Sequence, residues 1–495
     1  MGLASRLLVV AFAGVLALGS IARAAEPGKR PNIVYIMADD LGWTDLACYG
    51  SKYYETPNID KLAAQGTRFT DGYTCGPNCQ PTRAALLTGQ YGPRTGVYTV
   101  GNIYRFNWQT RPLKPVANVM DLPLEKTTFA QQLQKAGYKT AMFGKWHLGP
   151  KTGPHGPAER GFGEAIESSG KHFDFETTPH VDVPKGAYLA DFLTDRAVDF
   201  ITRHKDEPFF LYLPHFGVHG PHQAKAELIE KFKKKEGAGG PAVGGHNDPT
   251  YAAMIYSVDE SVGRVIKTLE DLKLAENTLV VFTSDNGGVG GYPSAGVNIG
   301  GITDNAPLKG GKGTLYEGGV RVPFIFRWPG KIEAGTTSDT PIISVDLFPT
   351  MMELTGAKAP ENQPLDGVSI VSLLTEKTPV AERDLYWHFP GYLGAAQNQW
   401  RTTPVGAVRS GDFKLLEFFE DGKLELYDLK NDLGQKHDLA KEKPDVAKAL
   451  HEKLVAWRET VGAKMPTPIT EEDKTAAKKA GRKRPRGAAA AQEEE

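Results

Sequence analysis

The chain has 495 residues, of which 40% are hydrophobic and 24% charged. This is ordinary globular composition, with enough length for one large domain and a smaller one. The 58 basic and 59 acidic residues leave a formal charge of −1, which argues against a global attraction to nucleic acid or to an anionic membrane. A polyanion would have to be bound in a local cleft.

The N-terminus has the pattern of a secretory signal peptide. Arg6 precedes an apolar stretch at Leu7–Ile21, and Ala22-Arg23-Ala24 fits a small-residue cleavage site. The stretch is shorter than a typical membrane-spanning helix. The alternative is that it is not cleaved and anchors the protein in the membrane. Cleavage after Ala24 would remove Arg6 and Arg23 and lower the formal charge from −1 to −3. We therefore expect a periplasmic or secreted protein without stable membrane insertion.

The next part of the chain alternates between strand and helix patterns. Short apolar stretches rich in β-branched and aromatic residues predict five buried strands of a largely parallel sheet, at Asn32–Met37, Tyr138–Phe143, Pro208–Leu213, Thr278–Thr283 and Val322–Trp328. Helical periodicity predicts helices at Thr128–Ala136, Leu189–His204 and Tyr251–Leu272. This alternation indicates an α/β fold, with a large mixed, mostly parallel sheet flanked by helices.

The pattern changes near residue 380. Two strand-like stretches, Phe413–Phe419 and Lys423–Tyr427, flank a hairpin signal at Asp421-Gly422, and a helix pattern follows at Asp445–Thr460. We therefore predict a signal peptide at 1–24, a catalytic domain at 25–380 and a small C-terminal antiparallel sheet with a helix at 381–465. Residues 466–495 are predicted to form a disordered charged tail, not a nucleic-acid-binding segment.

Four predicted strands run directly into polar residues. These residues are Asp39 and Asp40, then Lys145 and His147, then His215, His219 and His222, and finally Asp285 and Asn286. In open α/β sheets ligands bind outside the carboxyl ends of the strands, so we expect these groups to meet at one edge. Three carboxylates and an amide oxygen favour a hard cation such as Ca²⁺ or Mg²⁺ over zinc.

The segment Cys79-Gln80-Pro81-Thr82-Arg83 predicts a nucleophile position inside an anion-binding site. Pro81 is suited to the first turn of a helix, which places Cys79 at the helix N-terminus, where free N–H groups favour an anion. Arg83 lies one turn further on and can reach back toward residue 79. A plain helix start is the alternative interpretation.

Together these segments resemble the type I, formylglycine-dependent sulfatases of the alkaline phosphatase superfamily. The resemblance rests on five motifs in order: Ala38-Asp-Asp-Leu-Gly42, Cys79-x-Pro-x-Arg83, Gly144-Lys-Trp-His-Leu-Gly149, Ser284-Asp-Asn-Gly287 and Lys309-Gly-Gly-Lys-Gly-Thr-Leu-Tyr-Glu-Gly-Gly319. It extends over roughly residues 30–465. One departure is Thr82, where the family more often has Ser or Ala.

The resemblance implies an alkaline-phosphatase-like fold and a sulfuric ester hydrolase. A maturation enzyme would oxidise Cys79 to formylglycine, and one calcium ion, or magnesium, would be held by Asp39, Asp40, Cys79, Asp285 and Asn286. The family pattern gives the remaining roles to five residues: Arg83 and Lys145 orient the hydrated aldehyde, His147 serves sulfate release, and His219 and Lys312 hold sulfate and protonate the leaving oxygen.

Several assignments stay open. His215 and His222 could contact substrate or be ordinary histidines, and either Ser168 or Ser169 could contact sulfate. Trp146 is expected in the core. By analogy, Trp387 and His388 could line the mouth of the pocket. After conversion of Cys79, the remaining Cys48 and Cys75 could form a disulfide or stay as two free thiols, because sequence gives no distance.

The predicted substrate is a sulfated sugar or polysaccharide, with an aryl sulfate as a further possibility. Variable stretches at Thr99–Leu124 and Gly237–Asp248 are expected to set specificity. Two other functions remain open. One is a phosphodiesterase or phosphonate monoester hydrolase of the same superfamily, and the other is a protein that binds sulfated glycans without turnover.

Overall fold

The computed structural model describes residues 30–239, 245–394 and 399–475. The predicted signal peptide and residues 476–495 of the predicted tail lie outside these ranges. Within them, no helix combines the length and the apolar character needed to cross a bilayer.

The described chain forms strands and α-helices joined by short 3₁₀ turns and loops. The strands are β1 (Asn32–Ala38), β2 (Thr67–Phe69), β3 (Gly72–Tyr73), β4 (Leu113–Lys114), β5 (Lys139–Gly144), β6 (Glu164–Glu167), β7 (Phe209–Pro214), β8 (Thr278–Ser284), β9 (Phe324–Arg327), β10 (Thr336–Ser338), β11 (Ile342–Ile343), β12 (Leu385–Phe389), β13 (Leu393–Gly394), β14 (Trp400–Thr402), β15 (Val405–Ser410), β16 (Phe413–Phe418), β17 (Leu424–Asp428) and β18 (Thr467–Pro468). The helices are α1 (Pro57–Ala64), α2 (Cys79–Thr88), α3 (Gly92–Thr95), α4 (Phe129–Lys135), α5 (Leu189–Arg203), α6 (Ala226–Lys233), α7 (Pro249–Asp271), α8 (Glu317–Val320), α9 (Leu347–Thr355), α10 (Val371–Glu376) and α11 (Pro444–Thr460).

The large sheet confirms the predicted mixed, mostly parallel α/β architecture. Its eight strands lie in the order β10-β2-β9-β8-β1-β7-β5-β6. The strands β6, β5, β7, β1 and β8 run parallel, whereas β9 is antiparallel to both of its neighbours, β8 and β2. The predicted strand at Val322–Trp328 therefore exists in shortened form but runs against the others.

Strand β1 lies at the centre of the sheet and is buried on both faces. Its alternate residues Val34, Ile36 and Ala38 belong to one core cluster, which also contains α5 and α7 side chains. The residues between them pack into a second cluster with side chains of α2, α4 and α9. This two-sided burial explains why the strand reads as a continuous apolar run in the sequence.

The C-terminal part forms the predicted small antiparallel sheet and helix. Its strands lie in the order β12-β15-β16-β17, and α11 packs on this sheet through residues including Leu450 and Leu454. Gly422, with φ +70°, occupies the predicted turn between β16 and β17. The predicted division at residue 380 falls between α10 and β12. The start of the predicted disordered tail at residue 466 is ordered in the structure, because β18 lies within it and pairs with β4.

A buried charge cluster joins the small sheet to the large domain. Glu317 on α8 and Lys414 on β16 are both 0% exposed, and their charged atoms lie 2.7 Å apart. The other carboxylate oxygen of Glu317 accepts hydrogen bonds from Arg321 at 2.6 Å and from Tyr73 at 2.8 Å. Because a buried charge is costly without its partner, this cluster fixes how the two parts dock.

We expect Lys414→Met to lower the free energy of unfolding by about 3–5 kcal/mol, because it removes a buried partner of Glu317. The double variant Glu317→Gln/Lys414→Met should lose less than the sum of the two single variants, since neither charge is then left without the other. Urea unfolding of the four proteins measures this coupling. Additive losses would show that the two charges do not support each other.

Candidate active site

Most of the polar residues predicted at the strand ends meet at the carboxyl edge of the sheet. In the pairing of β1 with β8, Ala38 lies opposite Ser284, so the segments Asp39-Asp40 and Asp285-Asn286 leave the sheet side by side. The backbone N–H of Asp40 donates to Asp285 Oδ1 at 3.1 Å, and Asn286 Nδ2 donates to Asp40 Oδ1 at 2.8 Å.

Each buried carboxylate of this edge has a cationic partner from a distant part of the chain. Asp39 pairs with Lys145 at 2.8 Å, Asp40 with Lys312 at 2.7 Å, and Asp285 with Arg83 at 2.7 Å. Arg83 also donates from Nη1 to the backbone carbonyl of Lys145 at 2.9 Å, which ties α2 to the end of β5.

The three carboxyl groups differ in their acidity. Burial alone would raise all three pKa values, but Lys145 reverses this for Asp39, whose pKa lies well below its ordinary value. Lys312 likewise lowers the pKa of Asp40. The pKa of Asp285 rises to about 7, because burial and repulsion from Asp39 outweigh its guanidinium partner. Asp285 is therefore the least acidic of the three carboxyl groups.

Cys79 lies at the centre of this cluster, at the start of α2 as predicted. Its Sγ is 3.3 Å from Asp39 Oδ1 and 3.8 Å from Asp40 Oδ1. Pro81 lies in the first turn, and every residue of the helix is buried. Burial and the neighbouring Asp285 raise the pKa of the Cys79 thiol well above its usual value, so the thiol stays protonated and is a poor nucleophile.

Two histidines border the cluster. His219 Nε2 lies 3.7 Å from Asp40 Oδ2, and Nδ1 hydrogen-bonds the carbonyl of Gly220 at 2.7 Å. Burial, followed by Lys312, lowers the pKa of His219 to about 4, so its ring is neutral and Nδ1 carries the proton. His147 is half-buried, its pKa is also lowered well below the usual value by burial, and its Nδ1 has no hydrogen-bond partner.

Two of the residues that follow the strands have left-handed backbone. Asp40 has φ 64° and His147 has φ 58°, a region that costs non-glycine residues about 1–3 kcal/mol. Such conformations persist only where the surroundings hold them. Here they turn the two side chains toward the cluster directly after a straight strand.

Close backbone contact between two glycine-rich segments positions Lys312. A Cβ atom on Gly311 would lie 2.1 Å from the carbonyl oxygen of Gly290, and one on Gly287 would lie 1.8 Å from that of Gly318. No larger residue fits there without moving backbone. The N–H of Lys312 donates to the carbonyl of Gly288 at 3.0 Å, which fixes the loop above Asp40.

Three residues that the sequence analysis missed support this arrangement. The Asn305 side chain joins both glycine-rich segments, with bonds to Gly288 and to the Gly310 carbonyl at 3.0–3.2 Å. Tyr251 donates to the Asp40 carbonyl at 3.2 Å, and His172 hydrogen-bonds the His219 carbonyl at 2.8 Å. No sequence signal singled them out, because each acts through a contact distant in sequence.

Several residues left open by the sequence have their side chains engaged elsewhere. The hydroxyl groups of Ser168 and Ser169 donate to acceptors of their own segment at 2.8 Å. His215 hydrogen-bonds Ser261 at 2.9 Å. Trp146 is 1% exposed, which confirms its expected place in the core.

The side chains of the residues at the start of the small sheet also form hydrogen bonds to backbone carbonyl groups. Trp387 donates to the Thr74 carbonyl at 2.7 Å, and His388 bonds the Lys464 carbonyl at 2.8 Å. Cys48 and Cys75 are free thiols in this structure, and Cys75 accepts a hydrogen bond from Ser344 at 3.3 Å.

The oxygen donors of the cluster fit a hard divalent cation. Ligand atoms of Asp39, Asp40, Cys79 and His219 lie within 4.8 Å of one another. Asn286 is 0% exposed, yet its amide oxygen has no hydrogen-bond partner, an arrangement that costs stability unless something binds there. Carboxylate and amide oxygens are the preferred ligands of Ca²⁺ and Mg²⁺, and a cation would offset the burial and the repulsion from Asp39 that raise the Asp285 pKa.

Comparison with known proteins decides the family. Residues 31–357 match the family described as Sulfatase, and residues 311–460 match the family described as N-sulphoglucosamine sulphohydrolase, C-terminal. The chain belongs to the sulfatase family. Members of this family are sulfuric ester hydrolases, which confirms the predicted enzyme class.

Individual relatives resemble this sulfatase over most of its length. A sulfatase of Formosa agariphila is 37% identical over 87% of this chain and 89% of its own. Human N-acetylgalactosamine-6-sulfatase is 34% identical over 74% of this chain and 70% of its own. The crystal structure of Ps i-CgsB in complex with k-i-k-neocarrahexaose superimposes with a TM-score of 0.73 at 30% identity, covering 94% of this chain and 100% of the other.

Proposed function

We propose that this sulfatase hydrolyses sulfate monoesters of a sulfated sugar, with residue 79 converted to formylglycine and one Ca²⁺ or Mg²⁺ bound beside it. The observation that carries the proposal is the arrangement of three carboxylate–cation pairs around Cys79 Sγ at a helix N-terminus. The names of the relatives support a sugar substrate, since they refer to a sulfated amino sugar and to a carrageenan oligosaccharide.

The cation would be held by Asp39, Asp40, Asp285 and Asn286 together with residue 79. Bound there, it supplies Lewis acidity that polarises a sulfate oxygen and lowers the pKa of a hydroxyl group. The hydrate of formylglycine would supply a nucleophilic oxygen, which the buried, protonated thiol of Cys79 does not.

Arg83 and Lys145 act as fixed donors beside residue 79. Both are buried and paired with carboxylates at 2.7–2.8 Å, so their positions are set before substrate binds. The negative charge of a sulfate ester spreads further as its S–O bond breaks. Cations already in place at that point stabilise the transition state more than the ground state.

The proton transfers are assigned to a protonated group that can donate and to a neutral group that can accept. Lys312, whose pKa is raised above its usual value by Asp40 despite burial, carries a proton and is assigned to the leaving oxygen, with His219 beside it to hold sulfate. His147 is neutral with an unpartnered Nδ1, which suits the acceptance of a proton as sulfate is released.

Conversion of residue 79 is tested by the mass of the peptide Phe69–Arg83 from protein purified from its own source. We expect the mass of the aldehyde or its hydrate in place of the thiol. Cys79→Ala should abolish hydrolysis of a sulfated disaccharide and leave the unfolding temperature nearly unchanged. Active protein that carries an unmodified Cys79 would overturn this part of the proposal, and faster cleavage of an aryl phosphodiester than of any sulfate would overturn the substrate class.

Lys312→Met should reduce kcat/KM by about 10²–10³, the usual effect of removing one donor that stabilises transition-state charge. Lys309→Met is the matched control. It removes the same charge from the same loop, but Lys309 bonds Tyr427 at 3.0 Å and does not contact the cluster. Steady-state rates on one sulfated disaccharide compare the two variants. Similar losses in both would show that Lys312 acts through the loop and not at the reaction.

Metal binding should appear as a stability difference. Ca²⁺ at a hundred times its Kd should stabilise the chelator-treated protein by about 2.7 kcal/mol, because it binds only the folded state. Asn286→Ala should reduce this gain, whereas Asp195→Asn on the exposed face of α5 should not. Thermal unfolding with Ca²⁺, with Mg²⁺ and with neither gives the comparison. An undiminished gain in Asn286→Ala would remove this residue from the ligand set.

A further inference from the structure

Among the residues that the structure describes, Arg401 on β14 is a cation without a counter-ion. Its guanidinium carbon lies 5.1 Å from the centre of the Tyr292 ring, and its buried Nε makes no hydrogen bond. Across residues 30–239, 245–394 and 399–475, no carboxylate oxygen comes within the 4.0 Å of an ion pair with Arg401. The adjacent residues 395–398 contain neither Asp nor Glu.

Arg401 lies directly beside the active-site loop. Its Cδ is 3.6 Å from the position that a Cβ atom would take on Gly313, the residue after Lys312. The ring that it covers belongs to Tyr292, whose hydroxyl donates to the Lys312 carbonyl at 3.1 Å. Arg401 is therefore connected to Lys312, the partner of Asp40, through Gly313 and through Tyr292.

The hairpin of β13 and β14 directs Arg401 toward that loop. Leu393 pairs with Thr402 and Gly394 with Trp400, so Arg401 is the extra, unpaired residue of a bulge. Trp400 packs against Phe106 and Tyr392, with ring centres 6.3 and 5.2 Å apart. Arg401 lies against Gly313 instead, as does Cδ2 of Leu393.

Within the described residues Arg401 has no ion pair that would give it a structural role, whereas other buried or partly buried arginines in the same part of the chain do. Arg383 pairs with Asp346, Arg409 with Asp71, and Arg458 with Glu417. The three catalytic-site cations are likewise already paired with carboxylates. The charge of Arg401 is thus available for an anion that comes from outside the chain.

We propose that Arg401, supported by the Tyr292 ring, binds a second anionic group of the substrate next to the sulfate ester that is hydrolysed. A guanidinium group binds sulfate and carboxylate alike through two parallel hydrogen bonds. The substrate class is therefore a glycan with two anionic groups on one sugar unit or on adjoining units. This inference rests on the proposed sulfatase activity and narrows its substrate.

The test compares three galactose-based disaccharides: one with a single sulfate, one with two sulfates, and one with a sulfate and a uronic acid. Removal of a charge-assisted bidentate contact should lower kcat/KM of Arg401→Gln by about tenfold to a hundredfold on a doubly charged substrate. The loss should appear in KM, with kcat and all values for the singly sulfated compound nearly unchanged. Arg401→Lys keeps the charge but loses the two parallel N–H donors of the guanidinium group. Its kcat/KM on a doubly charged substrate should lie between the values of the wild type and of Arg401→Gln.

The two doubly charged compounds separate the possible anions, since the one recognised loses more in Arg401→Gln. Lys430→Gln is the control for a distant change of charge, because Lys430 is exposed and lies near Asp412 at 3.8 Å. It should leave the preference for a second anion intact. Equal losses on all three disaccharides, or no loss on any, would overturn the proposal.

Binding separates failure of this inference from failure of the proposed activity. In the Cys79→Ala background, calorimetry with the disulfated disaccharide should show weaker binding when Arg401→Gln is added. Unchanged affinity overturns the role of Arg401. If the mature wild-type protein cleaves none of the sulfates, the proposed activity fails, and the binding comparison still decides whether Arg401 holds an anion.

Discussion

The structure depends on burying three carboxylates together at the carboxyl edge of one sheet. Asp39, Asp40 and Asp285 leave two neighbouring strands at the same level, so their mutual repulsion and their desolvation must both be compensated. Each has one cationic partner within 2.8 Å, and these three partners come from different parts of the chain. The surrounding architecture can be understood as the means of placing those three cations.

Different structural devices place each cation. Arg83 projects from a helix that is buried at every residue, so its direction follows from helix packing. Lys145 is the residue directly after β5, so the end of that strand sets its position. Lys312 has no regular element to hold it, and depends instead on two glycine-rich segments whose backbones touch. The third device is the most exacting, because a single Cβ atom at Gly311 would displace the loop.

The C-terminal part of the chain contributes to the same region in two ways. Through Glu317 and Lys414 it is joined by buried charges to the segment that follows Lys312. Through the hairpin of β13 and β14 it sets Leu393 and Arg401 against Gly313. The part of the chain that carries no member of the carboxylate cluster therefore helps form the surroundings of the active-site loop.

The sequence by itself determined the α/β class, the strands that lead to the site, the hairpin with its helix, and the start of α2 at Cys79. These features follow from local rules, namely apolar runs, helical periodicity, turn residues and proline placement, which act over a few neighbouring residues. The same rules marked Asp39, Asp40, Asp285 and Asn286 as one group, because parallel strands end on one edge. The family motifs then added roles for Lys312 and His219 that no local pattern contains.

Only the tertiary structure decided which cation meets which carboxylate, that β9 runs antiparallel, and that Ser168 and Ser169 bond within their own segment. It also revealed Asn305, His172 and Arg401, none of which stands in a recognisable pattern. The physical reason is the same in each case. An ion pair or a side-chain bridge depends on a distance between residues far apart in the chain, such as Asp40 and Lys312, and local sequence patterns do not specify that distance.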